Sequence, residues 1–102
     1  MPDRIPDGIT HDHIIKALRD LDGGVEHAFG ESKGYDVLFN GSRYPPKAVM
    51  GLAAGKILGD PLGPYDVKGG LKSKCFRVLK SNGFEIVAKE NFNPFPDEVD
   101  KD

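Results

Sequence analysis

Residues 35–50 read YDVLFNGSRYPPKAVM, and the punctuation of this stretch decides the fold. Tyr35 to Phe39 is rich in β-forming side chains and roughly alternates, which predicts a strand. Asn40-Gly41 supplies the two positive φ values of a tight type I′ hairpin turn, so Ser42 to Tyr44 becomes a short return strand. Pro45 has no N–H to give to a sheet ladder and ends that strand, while Pro46 suits the first position of a helix. The chain is therefore re-aimed sharply within a few residues, with Arg43, Tyr44 and Lys47 carried on the bend.

The flanking elements follow from local signals. Downstream, KAVMGLAAGKIL is apolar nearly all round and predicts a buried helix. In it Gly51 and Gly55 lie four apart and leave a shallow groove for another element. Upstream, THDHIIKALRDLD has Thr10 as N-cap, Asp12 in the first turn, and Ile14, Ile15, Leu18 and Leu21 on one stripe, before Gly23-Gly24 stops it. Residues 25–34 read as a loop in which Val25 and Phe29 are expected to dip inward. Further on, Gly69-Gly70 is expected to open a third helix over LKSKCFRVLKSN, with Leu71, Cys75, Val78 and Leu79 inward and Asn82-Gly83 as its end. FEIVA then reads as a final strand. The order α-β-β-α-α-β, with two of three strands in a hairpin, predicts an α+β fold: a small, mainly antiparallel three-stranded sheet with three helices. Residues 1–89 are expected to form this one domain, and 90–102 an acidic, disordered tail.

At 102 residues the chain buries about 65% of its unfolded surface, which suffices for one modest core without metal or disulfide. The single cysteine, Cys75, is read as a small buried hydrophobe in a reduced compartment. No secretory h-region and no stretch of about 18 apolar residues is visible, so the expectation is a cytoplasmic protein with no membrane partner. Charge is segregated: residues 1–32 carry three Lys/Arg against seven Asp/Glu, residues 33–80 nine against three, and residues 81–102 two against six. That distribution suggests one electropositive region facing a polyanion, with acidic segments holding the pI down.

Catalytic chemistry finds little support. His11 and His13 are two apart on a helix and diverge, and no convergent Cys/His set completes a metal site, so no metal and no cofactor is expected. No G-x-S-x-G, Walker-type loop or spaced carboxylate pair occurs. The candidates are instead anion-binding. Gly69 and Gly70, expected to precede a helix and flanked by Lys68 and Lys72, could receive a phosphate on backbone N–H groups. Arg43, Tyr44 and Lys47 around the proline corner combine a guanidinium, a ring and an ammonium, a set suited to phosphates and a stacked base. Tyr44 is equally read as a core residue that braces the corner.

The pattern DGIT (Asp7 to Thr10), Tyr35, Gly41, YPPKA (Tyr44 to Ala48), Gly69-Gly70 and Gly83-Phe84 resembles the N-terminal head domain of McrA-like, modification-dependent HNH restriction endonucleases over residues 7–88. YPPKA is its specific part. The resemblance implies a DNA-binding or modified-base-sensing module, usually fused to a nuclease, and on it Tyr44, Lys47, Gly69 and Gly70 are the matching positions. Arg43, Lys68 and Lys72 join them on charge and position alone. No HNH segment is present, so catalysis does not carry over. The expectation is a non-enzymatic nucleic-acid-binding module linked to restriction and defence, with DNA and a separately encoded nuclease or effector as partners. The rival expectation is a protein-interaction or regulatory module with an acidic partner.

Overall fold

The computed structural model of the chain describes residues 4–25, 29, 34–63, 66–67 and 73–88. Its elements run α1 (His11–Asp22), β1 (Tyr35–Phe39), β2 (Ser42–Tyr44), α2 (Pro46–Leu58), α3 (Lys74–Ser81) and β3 (Glu85–Ala88). This is the expected α+β order. The tail from residue 89 onward lies outside the described residues.

The hairpin forms as its turn chemistry requires. Asn40 and Gly41 take φ of 51° and 79°, the left-handed pair of a type I′ turn. Val37 then sits opposite Tyr44 and Phe39 opposite Ser42. β3 adds antiparallel to the free side of β1, with Val37 opposite Ile86, to give the strand order β2-β1-β3. Because strand side chains alternate, Val37 and Tyr44 face the core while Asp36, Leu38 and Arg43 share the other face.

α2 is the central element. Its Ala48, Val49, Met50, Ala53 and Ala54 are fully buried, beside Ile14, Ala17 and Leu18 of α1 and Cys75 and Leu79 of α3. A helix enclosed on most sides should be apolar all round, as this one is. Its glycines are needed for close approach. A Cβ on Gly55 would lie 2.9 Å from the backbone N and Cα of Pro61, and one on Gly51 would lie 2.7 Å from the Phe29 ring. The chain leaves α2 through Gly59 in the left-handed region (φ 95°). It then folds back so that the Leu62 N–H donates to the Gly51 carbonyl at 3.2 Å.

Two readings need correction, and a third feature was not anticipated. Val25 is 38% exposed and does not dip inward, whereas Phe29 packs on the core. The third helix opens later than Gly69-Gly70. Ser73 is extended (φ −75°, ψ 157°) and its hydroxyl accepts from Phe76 N–H at 3.2 Å, so the helix starts at Lys74, with the serine as its N-cap. Third, the N-terminal segment has no periodicity to betray it, yet Ile5 and Ile9 are buried. Residues 4–9 form a strap held by the Arg4 N–H on the Asp66 carbonyl at 2.8 Å and by Asn82 Nδ2 on the Ile9 carbonyl at 3.4 Å.

Candidate nucleic-acid interface

The corner is built by Tyr44, Pro45 and Pro46. Tyr44 is buried, and its hydroxyl donates to Asp22 Oδ1 at 2.7 Å, tying β2 to the end of α1. That bond to a carboxylate, with burial second, raises the tyrosine pKa above its ordinary 10.0. Burial of its side chain and the bond to Asp22 are the geometry of a brace. Pro46 is buried at the first position of α2, and its carbonyl accepts the Cys75 S–H at 3.5 Å. The starts of α2 and α3 are therefore in contact.

Arg43 and Lys47 part company at this bend. Arg43 follows the alternation onto the outer sheet face, where Nη1 lies 3.6 Å from Asp36 Oδ2 and donates to the Ala88 carbonyl at 3.4 Å. Asp36 is only 5% exposed, so Arg43 serves first as counter-ion to a buried carboxylate. Lys47, in the first turn of α2, has no ion pair among the described residues. Neither α2 nor α3 carries an acidic residue in its first turn, and each has a lysine there, Lys47 and Lys74. The helix dipole disfavours a cation at that end, which makes the joined helix starts electropositive.

Charge segregation along the chain is partly cancelled in space. Lys56 Nζ lies 2.6 Å from Asp20 Oδ2, and Lys74 Nζ lies 2.9 Å from Asp7 Oδ1 and 3.0 Å from the Ile5 carbonyl. Lys74, one of the nine cations of residues 33–80, thus already has a carboxylate. Its hydrogen bond and charge hold the Asp7 pKa below the ordinary 3.8. Among the described residues, the cations without an ion pair are Arg19, Lys47, Arg77 and Lys80. Arg77 and Lys80 are exposed on the outer side of α3. Lys68, Gly69, Gly70 and Lys72 lie outside the described residues.

His11 and His13 both have structural partners. His13 Nδ1 accepts the Thr10 N–H at 3.0 Å in a capping box, and the His11 ring stacks on Phe84 with centroids 4.8 Å apart. No group of three or more metal-ligating side chains occurs among the described residues. Sequence reasoning missed the pairing of Asp7 with Lys74, which joins residues 67 apart and leaves no local signature.

The family model of the ScoMcrA-like, N-terminal head domain matches residues 7–88. The chain belongs to this family. No curated protein and no solved structure is similar enough to add to that assignment. The match takes in every described helix and strand of the head domain, including the proline corner and both lysine-bearing helix starts. Membership points to a DNA-binding module of restriction-related proteins. Among the described residues, no helix is long and apolar enough to cross a membrane.

Proposed function

We propose that this head domain is a non-enzymatic DNA-binding module of a restriction-related system, acting with a separately encoded nuclease or effector. The family match carries the reading, and the arrangement of charge supports it. Lys47 at the start of α2 and Arg77 and Lys80 on α3 contact backbone phosphates, while Tyr44 holds the corner and Arg43 contributes at the sheet edge after satisfying Asp36. Lys68 and Lys72, with Gly69 and Gly70, extend the same surface in this reading. The base that is read, plain or modified, is a separate part of the proposal and has its own arm in the test.

The test is fluorescence anisotropy of the full chain on plain and base-modified duplexes across a salt series. Phosphate contacts by Lys47, Arg77 and Lys80 give a log–log salt slope of about −2.7, roughly a forty-fold loss of affinity between 50 and 200 mM salt. Lys47→Ala lowers this slope by about one contact while leaving the fold intact, and any further fall with Lys72→Ala shows that Lys72 adds a contact beyond these three. Salt-insensitive binding, or none to any duplex, overturns the reading. Tighter binding to one modified duplex supports modified-base sensing, and equal binding to all removes it.

A second reading, docking of a protein partner, has one observation in its favour. Among the described residues Val25, Ile57 and Leu58 are the exposed large hydrophobics; Ile57 and Leu58 end α2, Val25 follows α1, and the Lys56–Asp20 pair ties the two helices. A tight protein complex without DNA affinity would favour it.

A further inference from the structure

We propose that the Asp7 carboxylate occupies the place on Lys74 that a DNA backbone phosphate takes on binding, so that this ion pair is an internal competitor for nucleic acid. The inference rests on the DNA-binding reading above and adds a regulatory contact to it.

The geometry separates this pair from the other ion pairs. The Lys74 side chain is 26% exposed, whereas that of Asp7 is 99% exposed. The ammonium is held by a second acceptor, the Ile5 carbonyl at 3.0 Å, so it stays in place when the carboxylate leaves. Among the described residues, Lys74 is the one partner of the Asp7 side chain. An ion pair with so exposed a partner is weak and exchanges readily. The Lys56–Asp20 pair differs: both side chains are about one-third exposed at 2.6 Å, and it links α1 to α2. Displacing it would disturb a helix contact.

Location gives the pair its meaning. Lys74 opens α3, and the next residue, Cys75, meets the Pro46 carbonyl at the start of α2 at 3.5 Å. Neither helix brings an acidic residue of its own to this point. α1, by contrast, has Asp12 in its first turn. The anion at the joined starts of α2 and α3 is therefore supplied from the strap, by a residue free to swing away. A phosphate there would meet the same ammonium with a larger charge and more acceptor oxygens. Lys74 lowers the Asp7 pKa, so the competitor is charged at neutral pH.

The experiment compares Asp7→Asn with Asp60→Asn in the full chain, on a short plain duplex. Asp60 is exposed just beyond α2, so both variants remove one negative charge but only one frees Lys74. Asp7→Asn is expected to bind about two- to five-fold tighter than Asp60→Asn, the range of an exposed ion pair. In a Lys74→Gln background, which keeps a donor for the Ile5 carbonyl, that gain disappears, and the salt slope falls by about 0.9. Should Lys74→Gln melt early, Lys74→Met serves as the second background, and the comparison of the two aspartate variants decides by itself. Equal affinities for Asp7→Asn and Asp60→Asn, or a gain that persists without Lys74, overturns the competitor role while the DNA-binding reading stands. Loss of duplex binding in every form, the parent included, removes both.

Discussion

Replacing Tyr44 by phenylalanine separates the two roles a tyrosine at this corner can have. The ring stays in the core, so no cavity opens and the large cost of Tyr44→Ala, about 3–5 kcal/mol for a buried aromatic, does not arise. What is lost is the 2.7 Å bond from the hydroxyl to Asp22 Oδ1. Bonds to charged partners contribute about 1.5–3 kcal/mol. Asp22 is exposed and regains water when the donor goes, which puts the expected cost at or below the bottom of that range, about 1–1.5 kcal/mol. For a domain of this size that is a fall in Tm of roughly 4–10 °C. The pH profile gives a second signature. Because the folded-state pKa of Tyr44 lies above its ordinary 10.0, its proton contributes stability that is fully present below pH 10 and is lost as pH rises from there through the folded pKa. Tyr44→Phe has no such proton, so the parent's advantage is constant between pH 7 and 9 and shrinks above pH 10. Urea unfolding followed by circular dichroism at pH 8 and from pH 9.5 to 11, with Asp22→Asn closing a double-mutant cycle, measures both. Duplex affinity should not change. A variant as stable as the parent at pH 8 refutes the brace, and a several-fold loss of DNA affinity at unchanged stability would put the hydroxyl on the nucleic acid.

Other perturbations test the frame and the surface. Gly55→Ala gains about 1 kcal/mol of helix propensity, but its Cβ would stand 2.9 Å from Pro61 backbone atoms, an overpacking that costs about 1–3 kcal/mol; urea midpoints should show net destabilisation, and a stabilised protein refutes the close approach. Gly23→Ala is its control: φ is −79° and the nearest atoms are at 3.5 Å, so thermal melting should show no loss or a gain of about 0.5 kcal/mol. Ser73→Ala removes the cap on α3 and should cost about 1 kcal/mol, read by urea unfolding. In acid, the contribution of Asp7 is present above pH 3.8 and is lost as pH falls through its lowered folded-state pKa, so the pH–stability curves of the parent and Asp7→Asn should converge below that point. Arg77→Ala and Lys80→Ala should each flatten the salt dependence of duplex binding by about one contact without changing the melting temperature.

The readable parts of this molecule are those whose causes lie within a few residues. Asn40-Gly41 dictates its own φ values, Thr10 caps its own helix, and the double proline ends one element and starts the next, so hairpin, α1 and α2 take the expected bounds. The glycine pair of α2 announced a close approach, and the returning chain at Pro61 fills it. The features that escaped have distant causes. Burial of Ile5 and Ile9 depends on α3 and the 66–67 segment, which lie some sixty residues away in the chain. The pairing of two middle-segment cations was hidden for the same reason, since Asp7 and Asp20 reach Lys74 and Lys56 only once the chain has folded.

The bend at residues 44–47 joins a packing problem to a charge problem. Three described features make the corner rigid: Tyr44 bound to Asp22, Pro45 unable to extend β2, and Pro46 buried against Cys75. These would be needed in any protein that had to pass from a sheet edge straight into a central helix. They do not require a lysine next, and the dipole of α2 disfavours one. The apolar core gains nothing from Lys47 either, because its charge has no counter-ion among the described residues. The packing of the corner therefore accounts for YPP but not for the K that follows, which the proposed phosphate contact would explain. By the same argument Lys74, placed as badly for its own helix dipole, already has such an anion in Asp7. The two lysines become the same kind of residue, one with its anion supplied by the strap and the other still without one.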